Sequence, residues 1–320
     1  MWSASWPNWR AGANVALRHL GFIDLPPHLK DGGFDHAAVH EPTGRIYVAH
    51  TANDAVDVID ITTQRYLRSI PDLRAVAGAL VAEPDLVFTS NRGENTVGLF
   101  TADVSRVEKI GVGIRPNGLA YDPRRARLLV AHVGDPGVAG SFTVSVIDVR
   151  ARKRIADVAV AGRTRWAIYD PVGDALHVNI ADPPQIIVVE SGDPVRIRRV
   201  VAIPHAGPHG LDIDVERRRL FCACDAGVLV SVDANSGELV ESHPISGVPD
   251  VVFFNAALGH LYVAIGDPGV IEVFETDVLA RRETVPTEAG AHTLSFDATR
   301  NIVCAFMPAT HRAAVYEDGA

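Results

Sequence analysis

The sequence predicts an all-β fold, a seven-bladed β-propeller with four antiparallel strands in each blade. Three observations predict it: a repeat that returns about every 42 residues, short alternating strands divided by turn residues within each repeat, and a spare strand before the first repeat. A period of about 40–45 residues is typical of a four-stranded propeller blade.

Seven copies of the repeat align on the acidic or amide residue of the turn after the first strand. These first strands read HAAVHEP, GALVAEP, NGLAYDP, RWAIYDP, HGLDIDV, DVVFFNA and HTLSFDA, and the copies begin near residues 36, 78, 117, 165, 209, 250 and 292. In the first copy a second strand RIYVAH, a third VDVID and a fourth at Tyr66–Ile70 follow, each β-rich and bounded by turn residues. No segment shows a helical period.

The two ends of the chain are predicted to meet in one blade. The last copy ends after three strands, at Val315-Tyr316-Glu317, and the stretch from Val15 to Leu25 has the pattern of a fourth strand without a blade. We expect this stretch to complete the seventh blade, because closing the ring removes the unpaired strand edges of an open array. Residues 1–320 then form a single propeller domain, with an N-terminal extension at residues 1–14.

Charge and composition disfavour several classes of function. Lys and Arg number 30 against 39 Asp and Glu, and the resulting net charge of −9 repels nucleic acid. No apolar run approaches the ~18 residues of a membrane span, and the first residues lack a secretory signal pattern. Three cysteines, two of them one residue apart at Cys222 and Cys224, exclude a disulfide framework. We therefore expect a cytoplasmic protein whose partner is a small molecule, with no nucleic acid and no membrane.

The phrases RIYVAHTANDAVDVID, RLLVAHVGD and HLYVAIGDPGVIEVF resemble the YVTN-type repeat of seven-bladed propellers over roughly residues 15–317. The segment Arg115–Pro123 is similar to a phrase of gluconolactonase-type propellers, which implies that the amide of Asn117 contributes to a metal or substrate site. The acidic ligands of that family have no counterpart here. Gly207–Leu211 is similar to a phrase of streptogramin-lyase propellers, which implies that His209 acts as a base.

Function is read from the positions at which the repeats differ. The first strand of a blade begins on the face where the second strand ends, so two rings of seven positions border one mouth of the channel. The first ring is predicted to contain His36, Gly78, Asn117, Arg165, His209, Asp250 and His292. The second is predicted to contain His50, Asn91, His132, Ile180, Cys224, Ile265 and Phe306. Five of the 13 histidines fall on these 14 positions, where an even distribution would place fewer than one.

The first ring carries a candidate metal centre. His209, Asp250, His292 and His36 lie on four consecutive blades across the closure, and three imidazoles with one carboxylate suit one divalent transition metal, namely Zn, Mn, Fe or Ni. A metal-free active site and a purely structural rim are the alternatives. His36, His209 and Arg165 are the candidate catalytic residues. The candidate substrate-binding residues are Arg165, Asn117, Asn91, His50 and His132.

Two classes of function are expected to compete. The first is a metal-dependent enzyme that acts on a small carbonyl- or carboxylate-bearing molecule, by lactone hydrolysis or by a lyase reaction. In this enzyme Arg165 orients the substrate carboxylate, although a salt bridge to Asp182 or Asp225 is an equal alternative. The second class is a non-catalytic propeller that binds another protein. The concentration of titratable groups at the mouth favours the enzyme.

Overall fold

The computed structural model describes residues 16–82, 84–102 and 106–319, which form seven four-stranded antiparallel sheets. Blade 1 contains β2 (Phe34–His40), β3 (Arg45–His50), β4 (Ala55–Asp60) and β5 (Arg65–Ile70). Blade 2 contains β6 (Val76–Ala82), β7 (Leu86–Asn91), β8 (Thr96–Thr101) and β9 (Glu108–Gly111). Blade 3 contains β10 (Pro116–Asp122), β11 (Arg127–His132), β12 (Thr143–Asp148) and β13 (Lys153–Ala159). Blade 4 contains β14 (Thr164–Asp170), β15 (Ala175–Ile180), β16 (Gln185–Glu190) and β17 (Arg196–Ala202).

The remaining three blades have the same strand order. Blade 5 contains β18 (Pro208–Asp214), β19 (Arg219–Cys224), β20 (Val228–Asp233) and β21 (Leu239–Pro244). Blade 6 contains β22 (Pro249–Asn255), β23 (His260–Ile265), β24 (Val270–Glu275) and β25 (Ala280–Pro286). Blade 7 contains β26 (Thr293–Asp297), β27 (Ile302–Met307), β28 (Arg312–Asp318) and β1 (Leu17–Asp24).

The ring is closed by the strand that the sequence predicted. β1 pairs antiparallel with β28, from Leu17 opposite Asp318 to Asp24 opposite Arg312, with a bulge between His19 and Gly21. The predicted N-terminal extension, residues 1–14, lies outside the described residues. The innermost strands β2, β6, β10, β14, β18, β22 and β26 contact one another in turn, and β26 contacts β2. They surround a central channel.

Apolar side chains between neighbouring sheets hold the blades together. Between blades 1 and 2, for example, Tyr47, Leu73 and Val87 are almost completely buried in one cluster. The three cysteines are buried and free. The one helical segment of the described chain is a single 3-10 turn at Thr51–Asn53, and no helix in this part of the chain is long and apolar enough to cross a bilayer.

The recurring acid of the repeat stabilises the face opposite the mouth. The carboxylate oxygens of Asp122 and Asp170, at the ends of their innermost strands, accept backbone N–H groups of the following turn at 2.9–3.2 Å. This local bonding explains why Asp and Pro recur there. Blade 1 has His40 at this position, where its Nδ1 lies 2.7 Å from Oγ1 of Thr43, and blade 2 has Ala82. Because blades 1 and 2 lack an acidic or amide residue at this position, alignment of the repeats on such a residue displaces these two blades by one position.

Candidate functional site

Strand register identifies the ring position at the mouth. In blades 1 to 6 the first residue of the innermost strand pairs with the last residue of the second strand, as Pro116 does with His132. The next residue along is Asn117, Arg165, His209 or Asp250 in blades 3 to 6. His292 lies five residues before the end of its innermost strand, as those residues do.

In blade 1 the equivalent residue is Asp35, and in blade 2 it is Ala77, each one residue before the ring residue that the sequence predicted. Alignment on Glu41 and on residue 83 was wrong by one position. The reason is that His40 and Ala82 occupy the strand-final position that Asp122 occupies in blade 3.

His36 therefore lies one residue further along its innermost strand than the other predicted ring residues, and it faces the channel. Its imidazole is 6% exposed, and its ring centroid lies 4.2 Å from that of Trp166, which comes from blade 4 across the ring. Its Nε2 lies 3.3 Å from Oδ1 of Asp35. Burial lowers the pKa of His36, and the carboxylates of Asp35 and Asp250 oppose this effect. The imidazole is thus held neutral between the polar mouth and the channel.

His209 is the centre of the cluster at the mouth. Its Nδ1 donates to Oδ1 of Asp225 at 2.7 Å, and its Nε2 lies 3.1 Å from Oδ1 of Asp250. Burial acts to lower the pKa of His209, but the two carboxylates outweigh it and raise the pKa to about 9. Although its own burial acts the other way, the nearby imidazoles hold the pKa of Asp250 well below its usual range. His209 is therefore an imidazolium at neutral pH.

Arg165 completes this arrangement on one side. Its Nη2 donates to Oδ2 of Asp225 at 3.0 Å, so of the two predicted salt-bridge partners the structure shows Asp225. Its Nη1 lies 3.1 Å from Nε2 of His209, and this positive charge opposes protonation of the imidazole without preventing it. The side chain of Arg165 is 16% exposed, so part of it is accessible from the mouth.

His292 lies on the other side of Asp250 and has a different role. Its Nδ1 donates to the backbone carbonyl of Gly290 at 2.8 Å, and since a carbonyl only accepts, the neutral ring keeps its Nε2 lone pair free. That atom is 3.6 Å from Oδ2 of Asp250, and the side chain is 38% exposed. The arrangement suits a base that takes a proton from a bound molecule and is then stabilised by the Asp250 carboxylate.

Guanidinium groups line the opposite part of the mouth. Arg92 donates to the amide oxygen of Asn117, and its Nη2 lies 3.4 Å from Oδ2 of Asp35. Burial, together with the charges of Arg165, Arg92 and Arg115, lowers the pKa of Arg163, which forms no ion pair with any described residue. The guanidiniums of Arg92 and Arg165 and the His209 imidazolium thus contact the carboxylates of Asp35, Asp225 and Asp250, while the guanidinium of Arg163 has no carboxylate partner among the described residues.

Three of the predicted substrate-binding residues are buried away from the mouth. His50, Asn91 and His132 have no exposed surface. Nδ1 of His50 lies 2.7 Å from Oδ2 of Asp57, and Nδ1 of His132 lies 2.8 Å from Oγ1 of Thr143. Burial lowers the pKa of His132 to about 4. The structure does not bring these side chains to the cluster: they are buried and bond to Asp57, Thr96 and Thr143 of their own blades, and Nε2 of His132 also accepts the N–H of Gly113.

The predicted metal ligands are bonded in a way that bears on metal binding. Both nitrogens of His209 face carboxylates, so a metal there would have to displace a proton and a hydrogen bond. His36 is packed against Trp166. Within the described ranges no three His, Cys, Asp or Glu side chains are grouped so that they could hold a metal ion. The observed bonding is that of an acid–base cluster, and metal binding stays a prediction.

Sequence reasoning missed Asp35, Arg92 and Arg163 at the mouth. Arg92 and Asp225 occupy the same place in their blades, immediately after the last residue of the second strand. That position lies one residue beyond the second predicted ring, so the same alignment of repeats leads to Arg92 and Asp225.

Comparison of the chain with models of known protein families and with curated proteins gives no match. The seven-bladed fold rests on the strand pairing itself.

Asp212 is a second ionisable group of the channel, below the mouth. Its two carboxylate oxygens accept the backbone N–H groups of Ile213 at 2.8 Å and of Phe254 in the next blade at 2.7 Å. Burial raises the pKa of Asp212 to about 6, although these hydrogen bonds oppose the shift. The carboxylate thus joins blades 5 and 6 at the cost of carrying a charge in an apolar channel.

Replacing Asp212 with Asn is expected to flatten the pH dependence of stability between pH 4 and 7. The folded-state pKa of about 6 exceeds the ordinary value of 3.8, so the folded state binds the proton more tightly. The resulting stabilisation is complete below the unfolded pKa and is lost as the pH rises through about 6. Urea unfolding should show the wild type losing about 1–3 kcal/mol relative to Asp212→Asn across this window. Parallel pH profiles for the two proteins would contradict the expectation.

Proposed function

We propose that the protein is an enzyme that acts on a small carboxylate-bearing molecule at the mouth of the channel, by proton transfer of the lyase type. One observation carries the proposal. An imidazolium held between two carboxylates, His209, stands beside the guanidinium of Arg165, which has Arg163 as a neighbour, and near a second imidazole, His292, with a free nitrogen. An acid, a base and an anion site within one partly exposed cluster are the groups such a reaction requires.

The reaction follows from these positions. Arg165 and Arg163 bind the substrate carboxylate and stabilise the negative charge that develops on it. Nε2 of His292 takes the proton from the carbon next to the carboxylate, the electron pair of that C–H bond forms the C=C bond, and the bond from the β carbon to its oxygen breaks. His209 gives its proton to the departing oxygen. Asp250 stabilises the new imidazolium of His292 across the 3.6 Å contact.

Lactone hydrolysis can use the same three groups. His292 would then take a proton from water, the guanidiniums would stabilise the oxyanion and His209 would protonate the ring oxygen. Both reaction types use only protein side chains. Dependence on Zn, Mn, Fe or Ni is a separate prediction, which metal analysis and a chelator check in the same assay. We also propose that the blades are of the YVTN type and that the protein is cytoplasmic, for which three buried free thiols are support.

The test is binding and turnover of small carboxylates that carry an oxygen leaving group on the β carbon, with the corresponding lactones in parallel. The double change Arg163→Gln, Arg165→Gln is expected to weaken binding by at least about 100-fold, because each of the two lost charged hydrogen bonds is worth roughly 1.5–3 kcal/mol. His292→Gln should keep binding and lose turnover by a factor of at least about 100. Arg198→Gln is the matched control, because Arg198 lies on the outermost strand of blade 4, the blade that carries Arg165.

Two results would oppose this assignment. Wild-type affinity in the double Arg variant would show that the carboxylate does not bind at these guanidiniums. A protein that binds none of the carboxylates, and instead holds a partner's peptide across the mouth, would establish the alternative function of a non-catalytic interaction module.

A further inference from the structure

The channel below the mouth contains an apolar cavity of about 510 Å³. All seven innermost strands contribute to its wall. The rings of His36 and Trp166 meet across the channel with their centroids 4.2 Å apart, and both residues line the cavity. The wall includes none of the hydrogen-bonded residues of the mouth, which are Arg165, His209, Asp225 and Asp250. The cavity is therefore a separate site, divided from the mouth by these two rings.

The cavity extends to the face opposite the mouth. Pro123, in the turn between β10 and β11, lines the cavity and is exposed to solvent. Tyr121 and Tyr169, the next-to-last residues of β10 and β14, also line it and are partly exposed. A small molecule can thus enter between the turns of this face without passing the mouth.

Asp212 gives the apolar wall a negative charge. Its oxygens accept the backbone N–H groups of Ile213 and Phe254, and a carboxylate has further lone pairs beyond these two. The residue is partly exposed and lines the cavity, and it forms no ion pair with any described residue. With a pKa of about 6, its carboxylate is charged above pH 7. The cavity therefore contains an anion without a counter-ion.

Arginines in the turns of the opposite face do not supply this counter-ion. The guanidinium of Arg125 pairs with Asp122 and Asp174, and that of Arg218 pairs with Asp170. Neither arginine lines the cavity. A positive charge beside the carboxylate of the wall therefore has to come from a bound molecule.

Aromatic rings lie beside Asp212 in the cavity. Phe254, whose N–H group Asp212 accepts, follows Phe253 on β22. The ring centroid of Phe253 lies 6.2 Å from that of Trp166, at an angle of 85°, and Phe296 adds a third ring from blade 7. All three rings are partly exposed. Such rings attract an ammonium group through their π faces and bind an apolar body by removing it from water.

We infer that this cavity binds a small organic cation, an ammonium group on an apolar ring, which enters from the face opposite the mouth and pairs with Asp212. The site is additional to the carboxylate site proposed at the mouth and does not depend on it. Folding has already removed the carboxylate from water, so only the ammonium group loses its hydration when the pair forms. A phenyl ring with a chain of two carbons fits a cavity of about 510 Å³.

Two probes of similar shape and different charge test the inference, 2-phenylethylamine and 2-phenylethanol. Titration calorimetry or ligand-observed NMR above pH 7 measures the affinity for each. We expect the amine to bind at least about tenfold more tightly, because attraction between unlike charges and to the π faces adds to the hydrogen bond that both can form. Asp212→Asn should remove this difference by weakening the amine, and should leave the affinity for the alcohol unchanged.

A second variant and a control locate the bound amine. Phe253→Leu should weaken the amine and the alcohol by a similar factor, since both lose the same ring contact. Glu216→Gln is the matched control, because Glu216 is an exposed carboxylate in the β18–β19 turn of the blade that carries Asp212. It should keep the wild-type affinity for both probes. If Asp212→Asn does not fold, the comparison of the two probes in the wild type and in Phe253→Leu decides.

Three results would overturn the inference: no binding of either probe, equal affinities for the amine and the alcohol in the wild type, or an amine affinity that a folded Asp212→Asn variant keeps. Tight binding of the amine that persists in Phe253→Leu would place it outside the cavity and have the same meaning. None of these results bears on the function proposed at the mouth, which is measured with carboxylates and with the Arg163→Gln, Arg165→Gln variant.

Discussion

Removal of residues 1–25 is expected to abolish cooperative folding of the whole ring. β1 lies along β28 over its full length, and Leu17, Ile23 and Leu25 are 2–7% exposed. Burial of three such side chains is worth about 5–9 kcal/mol, as much as the total stability of a typical domain. The truncated chain would also expose the backbone edge of β28, which favours aggregation.

Size-exclusion chromatography and thermal unfolding measure this effect. The matched control is a chain that lacks only residues 2–14 and keeps β1, and we expect it to elute at the same position as the full chain and to melt at a similar temperature. A monomeric protein without residues 1–25 that melts at the wild-type temperature would disprove the role of β1 in closing the ring.

Between pH 6.5 and 9 the wild-type protein is expected to lose about 2–3 kcal/mol of stability that a His209→Gln variant does not lose. The pKa of His209 in the folded protein is about 9, above the ordinary value of 6.5, because Asp250 and Asp225 favour the imidazolium. The stabilisation is complete below pH 6.5, where both states are protonated, and disappears as the pH rises through about 9. The magnitude follows from about 1.4 kcal/mol for each unit of pKa difference.

Denaturant unfolding of both proteins across this pH range gives the slope of the free energy of unfolding against pH for each. The slopes of the two proteins are compared, and not their absolute stabilities, because His209→Gln also leaves two carboxylates without their shared partner and lowers stability at every pH. His243→Gln, on the outermost strand of the same blade, is the control and should keep the wild-type slope. A His209→Gln slope equal to that of the wild type would show that the imidazole is not held protonated at the mouth.

Part of the site could be predicted and part could not, for identifiable reasons. Spacing from a recurring turn predicts correctly where a residue lies on a strand. It placed four residues one position after the start of their innermost strands, as the structure does: Asn117, Arg165, His209 and Asp250. Blades 1 and 2 lack the strand-final acid, so the same spacing pointed to His36 instead of Asp35. His50 and His132 share their ring position with Asn91, but a ring position does not say whether a side chain faces the channel or a neighbouring sheet.

The sequence by itself determined the number of blades, the four strands in each and the closing strand at the N-terminus. Periodic hydrophobicity and turn residues express local hydrogen bonding, which the spacing of residues encodes directly. Only the tertiary structure decided that His209 lies between Asp225 and Asp250, and that Trp166 meets His36 across the channel. The contacts of His209 with Asp250 and of Trp166 with His36 join different blades, and the contact of His209 with Asp225 joins distant residues of blade 5. They depend on the radius of the ring and on side-chain rotamers, which no spacing within one repeat contains.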